Sequence, residues 1–160
     1  MRGSGAASPA RGRRIAVAAS RFNEVVVRKL VDGALDCLRA QGVREDDLEL
    51  VWVPGAFELP FAARRLAGTR DFDAVVCLGA VIRGETAHFD HVAQQAATGI
   101  RRAAEDTGIP VIFGVLTTDT LEQALDRAGG AHGNKGWDAA MAALEMAALA
   151  SRWNGDGGRR

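Results

Sequence analysis

Residues 79–92 of this 160-residue chain read GAVIRGETAHFDHV and follow directly on an apolar run at residues 74–78. The apolar run is typical of a buried strand, and a helical pattern begins soon after its end. A strand that passes through a polar, glycine-containing turn into a helix presents outward-pointing backbone N–H groups, which suit an anion. Because His88 adds a side chain that titrates near neutral pH, this stretch predicts an enzyme that acts on a phosphorylated small molecule.

Composition and charge are those of an ordinary globular domain. The chain is 48% hydrophobic and 25% charged, which is typical of a soluble protein with one core. Twenty basic residues balance twenty acidic ones, which removes the main electrostatic argument for nucleic acid or an anionic membrane as a partner. No apolar run approaches the roughly 18 residues that span a bilayer, and residues 1–14 lack the apolar centre of a signal peptide.

The two cysteines, Cys37 and Cys77, lie within apolar patterns. That setting favours buried free thiols over a disulfide bond, since a free cysteine behaves as a small apolar side chain. Unpaired thiols are typical of a reducing compartment. We therefore expect a cytoplasmic protein.

Short apolar runs alternate with helical patterns along the chain. Strands are predicted at residues 15–19, 48–53, 73–81 and 111–116. Helices are predicted from a candidate cap at Asn23 to Gly42, from about 58 to 67, from 89 to Gly108, from a capping box at 119–122 to Gly129, and from a cap at Asn134 onward. In the last helix one apolar face is shared by Trp137, Met141, Leu144 and Ala148.

The alternation predicts a three-layer α/β sandwich around a four-stranded parallel sheet, because right-handed crossovers place helices on both faces. We expect a single domain at residues 14–153, between a disordered tail at 1–13 and a flexible tail at 154–160. Ligands of such sheets bind beyond the carboxyl ends of the strands. Four segments are expected to meet there: residues 20–23, 54–58, 81–88 and 113–119.

Candidate catalytic and phosphate-binding residues each allow a simpler structural interpretation. His88 can be a general acid and base or an unused residue at a helix start. His91, one turn later, could form a metal pair with it, but no third ligand stands at a convincing spacing. Arg127 can grip a phosphate or satisfy the negative end of a helix dipole. Lys135 by itself resembles a surface lysine.

The aromatic, acidic and remaining basic candidates likewise each allow both a functional and a structural interpretation. Phe22 falls in a turn and can stack on a flat heterocycle or pack. Glu58 can accept hydrogen bonds from substrate hydroxyls or favour a helix start. Arg83 can bind phosphate or join an ion pair, and Phe113 can belong to core or rim. The sequence has no GxGxxG fingerprint or Walker A motif, and packing is the favoured role for both Trp52 and Trp137.

Several motifs together resemble those of the lumazine synthase family. They run in the expected order over residues 13–150: SRFNE (20–24), VPGAFELP (53–60), GAVIRGETAHFDHV (79–92), FGVLTT (113–118), QALDRAG (123–129) and GNKG (133–136). The resemblance implies a flavodoxin-like fold and a transferase of riboflavin biosynthesis. Members of the family condense 5-amino-6-(D-ribitylamino)uracil with 3,4-dihydroxy-2-butanone 4-phosphate, and they release phosphate, water and 6,7-dimethyl-8-ribityllumazine without a cofactor or metal.

The resemblance also implies roles for individual residues. His88 would transfer protons during imine formation and phosphate elimination. Phosphate would be bound by Glu85, Thr86 and Arg127. The remaining substrate contacts would come from Phe22, Asn23, Ala56, Phe57, Glu58, Val81, Ile82, Phe113 and Lys135.

Assembly is a further implication of the resemblance. Phe113, Arg127 and Lys135 would reach the site from a neighbouring subunit of a homopentamer. The short connection at residues 129–136 resembles that of family members whose pentamers close into icosahedral shells, while other members stop at pentamers or decamers. Two alternatives stay open: an archaeal-type riboflavin synthase, and a catalytically silent paralogue that binds flavin or lumazine.

Overall fold

The computed structural model describes residues 10–84 and 88–155. Four strands form one parallel sheet in the order β2-β1-β3-β4. The strands are β1 (Ile15–Ser20), β2 (Leu48–Val53), β3 (Ala74–Ile82) and β4 (Val111–Thr118). The predicted four-stranded parallel sheet is confirmed, and β4 runs two residues further than its apolar pattern indicated.

Helices cover both faces of the sheet and give three layers. The helices are α1 (Glu24–Ala40), α2 (Leu59–Gly68), α3 (His88–Thr107), α4 (Leu121–Asp126) and α5 (Lys135–Asn154). One core lies between the sheet and α1 and α5, and a second core lies between the sheet and α2 and α3. The central strand β1 is buried along its whole length because it is covered from both sides, which explains its unbroken apolar sequence.

The connections determine where a ligand-binding crevice forms. From β1 the chain moves outward through α1 to β2, then returns across β1 to β3 and continues to β4. The direction therefore reverses between β1 and β3. In an open parallel sheet this reversal leaves a crevice beyond the carboxyl ends of the strands.

The apolar stripe predicted on the last helix is not the side that packs most closely. Trp137 and Met141 are 37% and 41% exposed, and Leu144 is buried. The side of α5 that faces the core consists mainly of small residues: Gly136, Ala139, Ala140, Ala143 and Ala147. Small side chains allow α5 to approach α1 and β4 closely, so residue size outweighs hydrophobicity here. Trp137 is therefore less buried than its predicted packing role requires.

The connection between β4 and α5 contains elements that the sequence did not predict. The capping box of α4 is formed by Thr120 and Gln123, one residue later than the box predicted from Asp119 and Glu122. The helix ends at Asp126, and a short antiparallel hairpin follows, made of β5 (Ala128–Gly130) and β6 (Gly133–Asn134). The predicted caps differ in outcome: the Asn134 side chain caps α5, whereas Asn23 occupies the cap position of α1 without a capping side-chain bond.

The predicted tail boundaries, 1–13 and 154–160, stay a prediction, although Ala10 packs in the core beneath α1 and α5. No helix within the described ranges has the length and apolar character needed to cross a bilayer.

Candidate active site

A cleft of about 740 Å³ opens at the carboxyl ends of β1, β2 and β3. Its volume lies in the range usual for small-molecule sites. We call it the strand-end cleft. Its described lining residues are Phe22, Asn23, Pro54, Gly55, Ala56, Phe57, Glu58, Ala80, Val81, Ile82, Gly84, His88, Phe89, His91 and Val92. Three of the four segments expected at this edge therefore meet there.

The turn after β1 presents Phe22 to the cleft. The backbone N–H of Phe22 donates to the Pro54 carbonyl oxygen at 3.0 Å, and that of Arg21 donates to the Val53 carbonyl oxygen at 2.8 Å. These bonds hold the turn against the end of β2, yet the Phe22 ring is 72% exposed. An exposed ring on a turn that is held in this way can stack on a flat heterocycle.

Asn23 ties the same turn to β3. Its backbone is left-handed, with φ of 63°, a conformation that asparagine tolerates better than most residues. Its side-chain Nδ2 donates to the Ala80 carbonyl oxygen at 2.8 Å. The amide therefore cross-links two walls of the cleft, which explains why it is not used to cap α1.

A 3₁₀ turn at Ala56–Glu58 forms the wall beyond β2. Ala56 is buried, whereas Phe57 is 58% exposed and the Glu58 carboxylate is exposed at the start of α2. The Glu58 N–H donates to the Gly55 carbonyl oxygen at 3.1 Å, which closes the turn. The wall thus offers an aromatic face and a carboxylate side by side.

The third wall leads from β3 into α3. Val81 is buried and Ile82 is half-buried at the end of β3, and His88 is the first residue of α3. His88 and His91 are both exposed and both line the cleft. The start of a 20-residue helix carries a positive partial charge, so this corner of the cleft favours an anion. Glu85 and Thr86, predicted to bind phosphate here, lie outside the described residues.

Arg83 takes part in ion pairs. Its Nε donates to Asp119 Oδ1 at 2.8 Å, its Nη1 lies 4.0 Å from Asp90 Oδ1, and its guanidinium stands 4.5 Å from the centre of the Phe89 ring. The hydrogen bond to Asp119 raises the pKa of Arg83 above its usual value. Of the two roles considered for this residue, the structure supports the ion pair that braces the start of α3.

A second groove, of about 430 Å³, lies along β4 and the hairpin. We call it the Arg127 groove. Its lining residues are Phe113, Val115, Leu116, Thr117, Arg127, His132, Lys135 and Asp138. Three predicted site residues, Phe113, Arg127 and Lys135, therefore come together, but in a different cavity from His88.

Two basic residues, Arg127 and Lys135, line this groove. Arg127 follows directly on α4, and its Nη1 donates to the Gln123 carbonyl oxygen at 3.0 Å. That bond uses one of the five N–H donors of the guanidinium. Lys135 begins α5, and its backbone N–H donates to the Arg127 carbonyl oxygen at 2.8 Å. A guanidinium and an ammonium held by connected backbone form a suitable partner for a phosphate.

The expectation that residues 113–119 meet the other three segments at the sheet edge is wrong for Phe113. In the sheet register Phe113 is opposite Cys77, whereas the cleft residues Ala80 and Val81 are opposite Leu116 and Thr117. Phe113 thus lies three register positions before Leu116, the residue opposite Ala80, which is about 10 Å along the strand. Its ring is 39% exposed and faces the Arg127 groove.

Both cysteines are free and buried, as predicted. Burial raises the pKa of the Cys77 thiol to about 12. Burial, with a smaller contribution from the Asp138 carboxylate, raises the pKa of Cys37 to about 11. Neither thiol ionises near neutral pH, so neither serves as a nucleophile. Over residues 10–84 and 88–155, no three His, Cys, Asp or Glu residues are grouped so that they could hold a metal.

Three titratable residues of these cavities were not assigned to the site from the sequence. His91 was considered only as a metal ligand, whereas His132 and Asp138 were not considered. Asp138 follows Lys135 at helical spacing, which is a signal that sequence analysis could have used. His132 lies in the turn of a hairpin whose two strands have only three and two residues, which are too short to show a strand pattern.

Fold and cavities together define a doubly wound α/β protein with a small-molecule cleft at the switch point of a parallel sheet. A family model described as 6,7-dimethyl-8-ribityllumazine synthase matches residues 12–151. The chain is also 53% identical over 140 residues to the 6,7-dimethyl-8-ribityllumazine synthase of Clostridium kluyveri, a match that covers 88% of this chain and 91% of that relative. The chain therefore belongs to the 6,7-dimethyl-8-ribityllumazine synthase family, which confirms the resemblance found in the sequence motifs.

Proposed function

We propose that this chain condenses 5-amino-6-(D-ribitylamino)uracil with 3,4-dihydroxy-2-butanone 4-phosphate to give 6,7-dimethyl-8-ribityllumazine, phosphate and water. The observation that carries the proposal is the 53% identity with a 6,7-dimethyl-8-ribityllumazine synthase across 88% of the chain. The two cavities give this assignment a physical basis, because one suits a flat heterocycle and the other suits a phosphate.

The pyrimidine ring binds in the strand-end cleft. Phe22 stacks on the ring from the rim, and the backbone of Val81 and Ile82 lines the ring pocket. Asn23 contributes to this pocket by fixing its wall, because its Nδ2 donates to the Ala80 carbonyl oxygen. The exposed aromatic face of Phe22 and the apolar end of β3 support this assignment.

The ribityl chain lies along the 3₁₀ turn. The Glu58 carboxylate accepts hydrogen bonds from its hydroxyl groups, and the backbone of Ala56 and Phe57 supplies further polar contacts. A carboxylate can accept several hydrogen bonds at once, which suits a polyol. The exposure of Glu58 at the cleft wall supports this role.

The phosphate of the second substrate binds where two sources of positive potential can meet. One source is the start of α3, with the segment that contains Glu85 and Thr86 immediately before it. The other source is Arg127, whose planar guanidinium suits a bidentate contact with phosphate. Lys135 lies beside Arg127 in the groove and contacts the substrates there.

His88 moves the protons of the reaction. The substrate amine attacks the ketone, water leaves, and an imine forms. Loss of a proton next to the imine then expels phosphate, and the resulting enol tautomerises and closes the ring with loss of water. Each step needs a donor or acceptor near neutral pH, which an imidazole provides. Holding two substrates together supplies much of the remaining rate enhancement.

The complete site forms between two copies of the chain in a homopentamer. The cleft of one copy supplies Phe22 and His88, and its neighbour supplies Phe113, Arg127 and Lys135. This division is supported by the separation of the two sets of residues into two cavities of one chain. It is also supported by apolar surface that a second copy would bury; the exposed side chains are Phe22, Val25, Phe57, Phe61, Phe113, Trp137 and Met141.

Higher assembly and location are further parts of the proposal. The connection from β5 to α5 is a compact hairpin without an insertion, which favours pentamers that close into an icosahedral shell. The two free thiols favour the cytoplasm, because such thiols persist in a reducing compartment. Particle mass in solution distinguishes a pentamer from a decamer or a shell.

A turnover assay tests the proposed activity. The purified protein is mixed with the aminopyrimidine and the butanone phosphate, and lumazine fluorescence and phosphate release are followed together. Equal amounts of both products, above the uncatalysed background, are expected. A folded, oligomeric protein that forms neither product would contradict the proposed activity and favour the silent paralogue.

A further inference from the structure

The side chain of Asn134 forms hydrogen bonds in two directions. Its Oδ1 accepts from the backbone N–H of Gly136 at 2.7 Å and of Trp137 at 3.1 Å, and so caps α5. Its Nδ2 donates to the carbonyl oxygen of Lys29, in α1, at 3.1 Å. A cap needs only an acceptor, which serine, threonine or aspartate can also supply. The bond to Lys29 needs a donor as well, which the amide Nδ2 supplies while Oδ1 accepts, so this residue does more than cap a helix.

The backbones of α1 and α5 approach very closely at this bond. A Cβ atom on Gly136 would lie 1.9 Å from the Leu30 carbonyl oxygen, and a Cβ atom on Gly33 would lie 2.4 Å from Asn134 Cγ. Neither glycine has a positive φ angle, so close approach, and not backbone conformation, explains why they carry no side chain. Asn134 thus occupies a fitted position between two helices.

Both cations of the Arg127 groove depend on the segment that Asn134 holds. Lys135 is the next residue, and its backbone N–H donates to the Arg127 carbonyl oxygen at 2.8 Å. Asn134 also pairs with Ala128, the residue after Arg127, in the β5–β6 hairpin. Movement of Asn134 would therefore shift the two cations relative to α1 and to each other.

We propose that Asn134 is a positioning residue: its amide joins the Lys29 carbonyl to the start of α5 and so sets the spacing of Arg127 and Lys135 for a phosphate group. The inference rests on the proposed function for the identity of the phosphorylated substrate. It does not rest on that function for the positioning itself, because inorganic phosphate can serve as the probe.

Two variants at this position separate the amide donor from the cap. Asn134→Ser and Asn134→Asp both keep an oxygen acceptor for α5 and both lose the N–H that reaches Lys29. We expect each to raise the KM for the butanone phosphate and the inhibition constant of inorganic phosphate by roughly 10- to 100-fold, because a displacement of about an ångström in a preorganised site can cost up to about 100-fold. The KM for the pyrimidine should change much less. An effect confined to the Asp variant would overturn the proposal, since added charge would then explain it.

A readout that needs no turnover completes the test. Hydrogen exchange at the Lys135 amide should accelerate in both variants, since its bond to Arg127 loses support. Thr107→Ala is the matched control: it removes helix-end bonds from Thr107 Oγ1 to the Ala103 carbonyl and from the Ile109 N–H to Oγ1, at the far end of α3. This control should leave phosphate inhibition and Lys135 exchange unchanged.

Gly33→Ala provides an independent route, because its Cβ would displace the Asn134 side chain without changing it. The same loss of phosphate affinity is expected. Unchanged phosphate inhibition and unchanged Lys135 exchange in folded Asn134→Ser or Gly33→Ala protein would overturn the proposal. If the unmodified protein showed no turnover while Lys135 exchange and inorganic phosphate binding responded as expected, the positioning role would stand and the proposed activity would fall.

Discussion

The strand-end cleft and the Arg127 groove differ in the chemistry they offer. The cleft presents aromatic rings, strand-end backbone, one carboxylate and two histidines, and none of its described lining residues is a lysine or arginine. The groove presents a guanidinium and an ammonium, together with the Phe113 ring, the His132 imidazole and the Asp138 carboxylate. A flat heterocycle suits the first cavity and a phosphate suits the second. Neither cavity by itself matches a reaction between a pyrimidine and a sugar-derived phosphate.

Each region is held by an asparagine side chain that connects α1 to a neighbouring element. Asn23, before α1, donates to Ala80 in β3, whereas Asn134 donates to Lys29 within α1. The first bond fixes the cleft wall and the second fixes the base of the groove. One bond is made at the start of α1 and the other is made within α1. This helix therefore fixes the position of the cleft relative to the groove on the same chain, although the two are separate cavities.

Replacement of His88, the proposed proton-transfer group of the cleft, should have the largest effect on turnover. We expect His88→Ala to lower kcat by about 100-fold or more, while the affinity for lumazine stays close to that of the unmodified protein. His91→Ala, one turn along the same helix face, is the matched comparison and should cost much less. An unchanged kcat in His88→Ala would remove His88 from its proposed role.

Removal of the groove's guanidinium should affect the other substrate. We expect Arg127→Ala to raise the KM for the butanone phosphate by roughly 10- to 100-fold, since hydrogen bonds to charged groups contribute about 1.5–3 kcal/mol. Arg127→Lys should recover only part of this loss, because lysine lacks the planar fork.

Arg101→Ala is the control for general loss of positive charge, as Arg101 is exposed on α3 and pairs with Glu105. Initial rates with each substrate varied in turn give the measurement. A change in pyrimidine affinity alone would contradict the division between groove and cleft.

A smaller effect on substrate affinity is expected from substitution of Phe22 at the rim of the cleft. Phe22→Ala should raise the KM for the pyrimidine about 10-fold, in keeping with stacking energies of about 1–3 kcal/mol. Phe22→Trp should retain most of the affinity. Since the Phe22 ring is 72% exposed, thermal unfolding of the Ala variant should differ little from that of the unmodified protein. If Phe22→Ala lowered the affinity for the butanone phosphate alone, the Phe22 ring would contact that substrate, and the proposed stacking on the pyrimidine would be wrong.

The smallest effect is expected on the free energy of unfolding, from substitution of Ser20 beneath the cleft. The Ser20 hydroxyl is buried at the end of β1 and has no hydrogen-bond partner within the described part of the chain. Ser20→Ala should therefore stabilise the fold by about 1 kcal/mol. Thr118→Val is the opposite case, because the buried Thr118 hydroxyl donates to the Thr120 carbonyl oxygen and its loss should destabilise. Denaturant unfolding measures both, and destabilisation by Ser20→Ala would show that its hydroxyl has a partner.

Much of the fold could be predicted because strand burial leaves a plain signal. An unbroken run such as residues 15–19 requires cover on both faces, which specifies a central parallel strand. The packed face of α5 escaped prediction because close approach to α1 selects alanine and glycine, whereas sequence patterns draw attention to large side chains such as Trp137. The β5–β6 hairpin escaped because strands of three and two residues have no periodicity.

The candidate site was predictable where it follows strand ends. The segments around Phe22, Phe57 and Val81 meet because parallel strands end at one edge of the sheet. Phe113 could not be placed in this way, since its position depends on the register of β4 against β3. The resemblance to a family grouped Phe113 with Arg127 and Lys135, and the fold brings the three together in one groove.

Complementation between two impaired variants, assayed at a butanone phosphate concentration well below the KM of Arg127→Ala, tests most directly whether cleft and groove act together across two copies. His88→Ala chains keep an intact groove, and Arg127→Ala chains keep an intact cleft. When equal amounts are unfolded and reassembled together, about a quarter of the interfaces should join two intact halves, as random mixing in a ring with head-to-tail contacts requires. We predict recovery of about that share of the activity of the unmodified protein, in mixed oligomers verified by mass. Activity no higher than the average of the two parents, in oligomers shown to be mixed, would contradict a site shared between subunits.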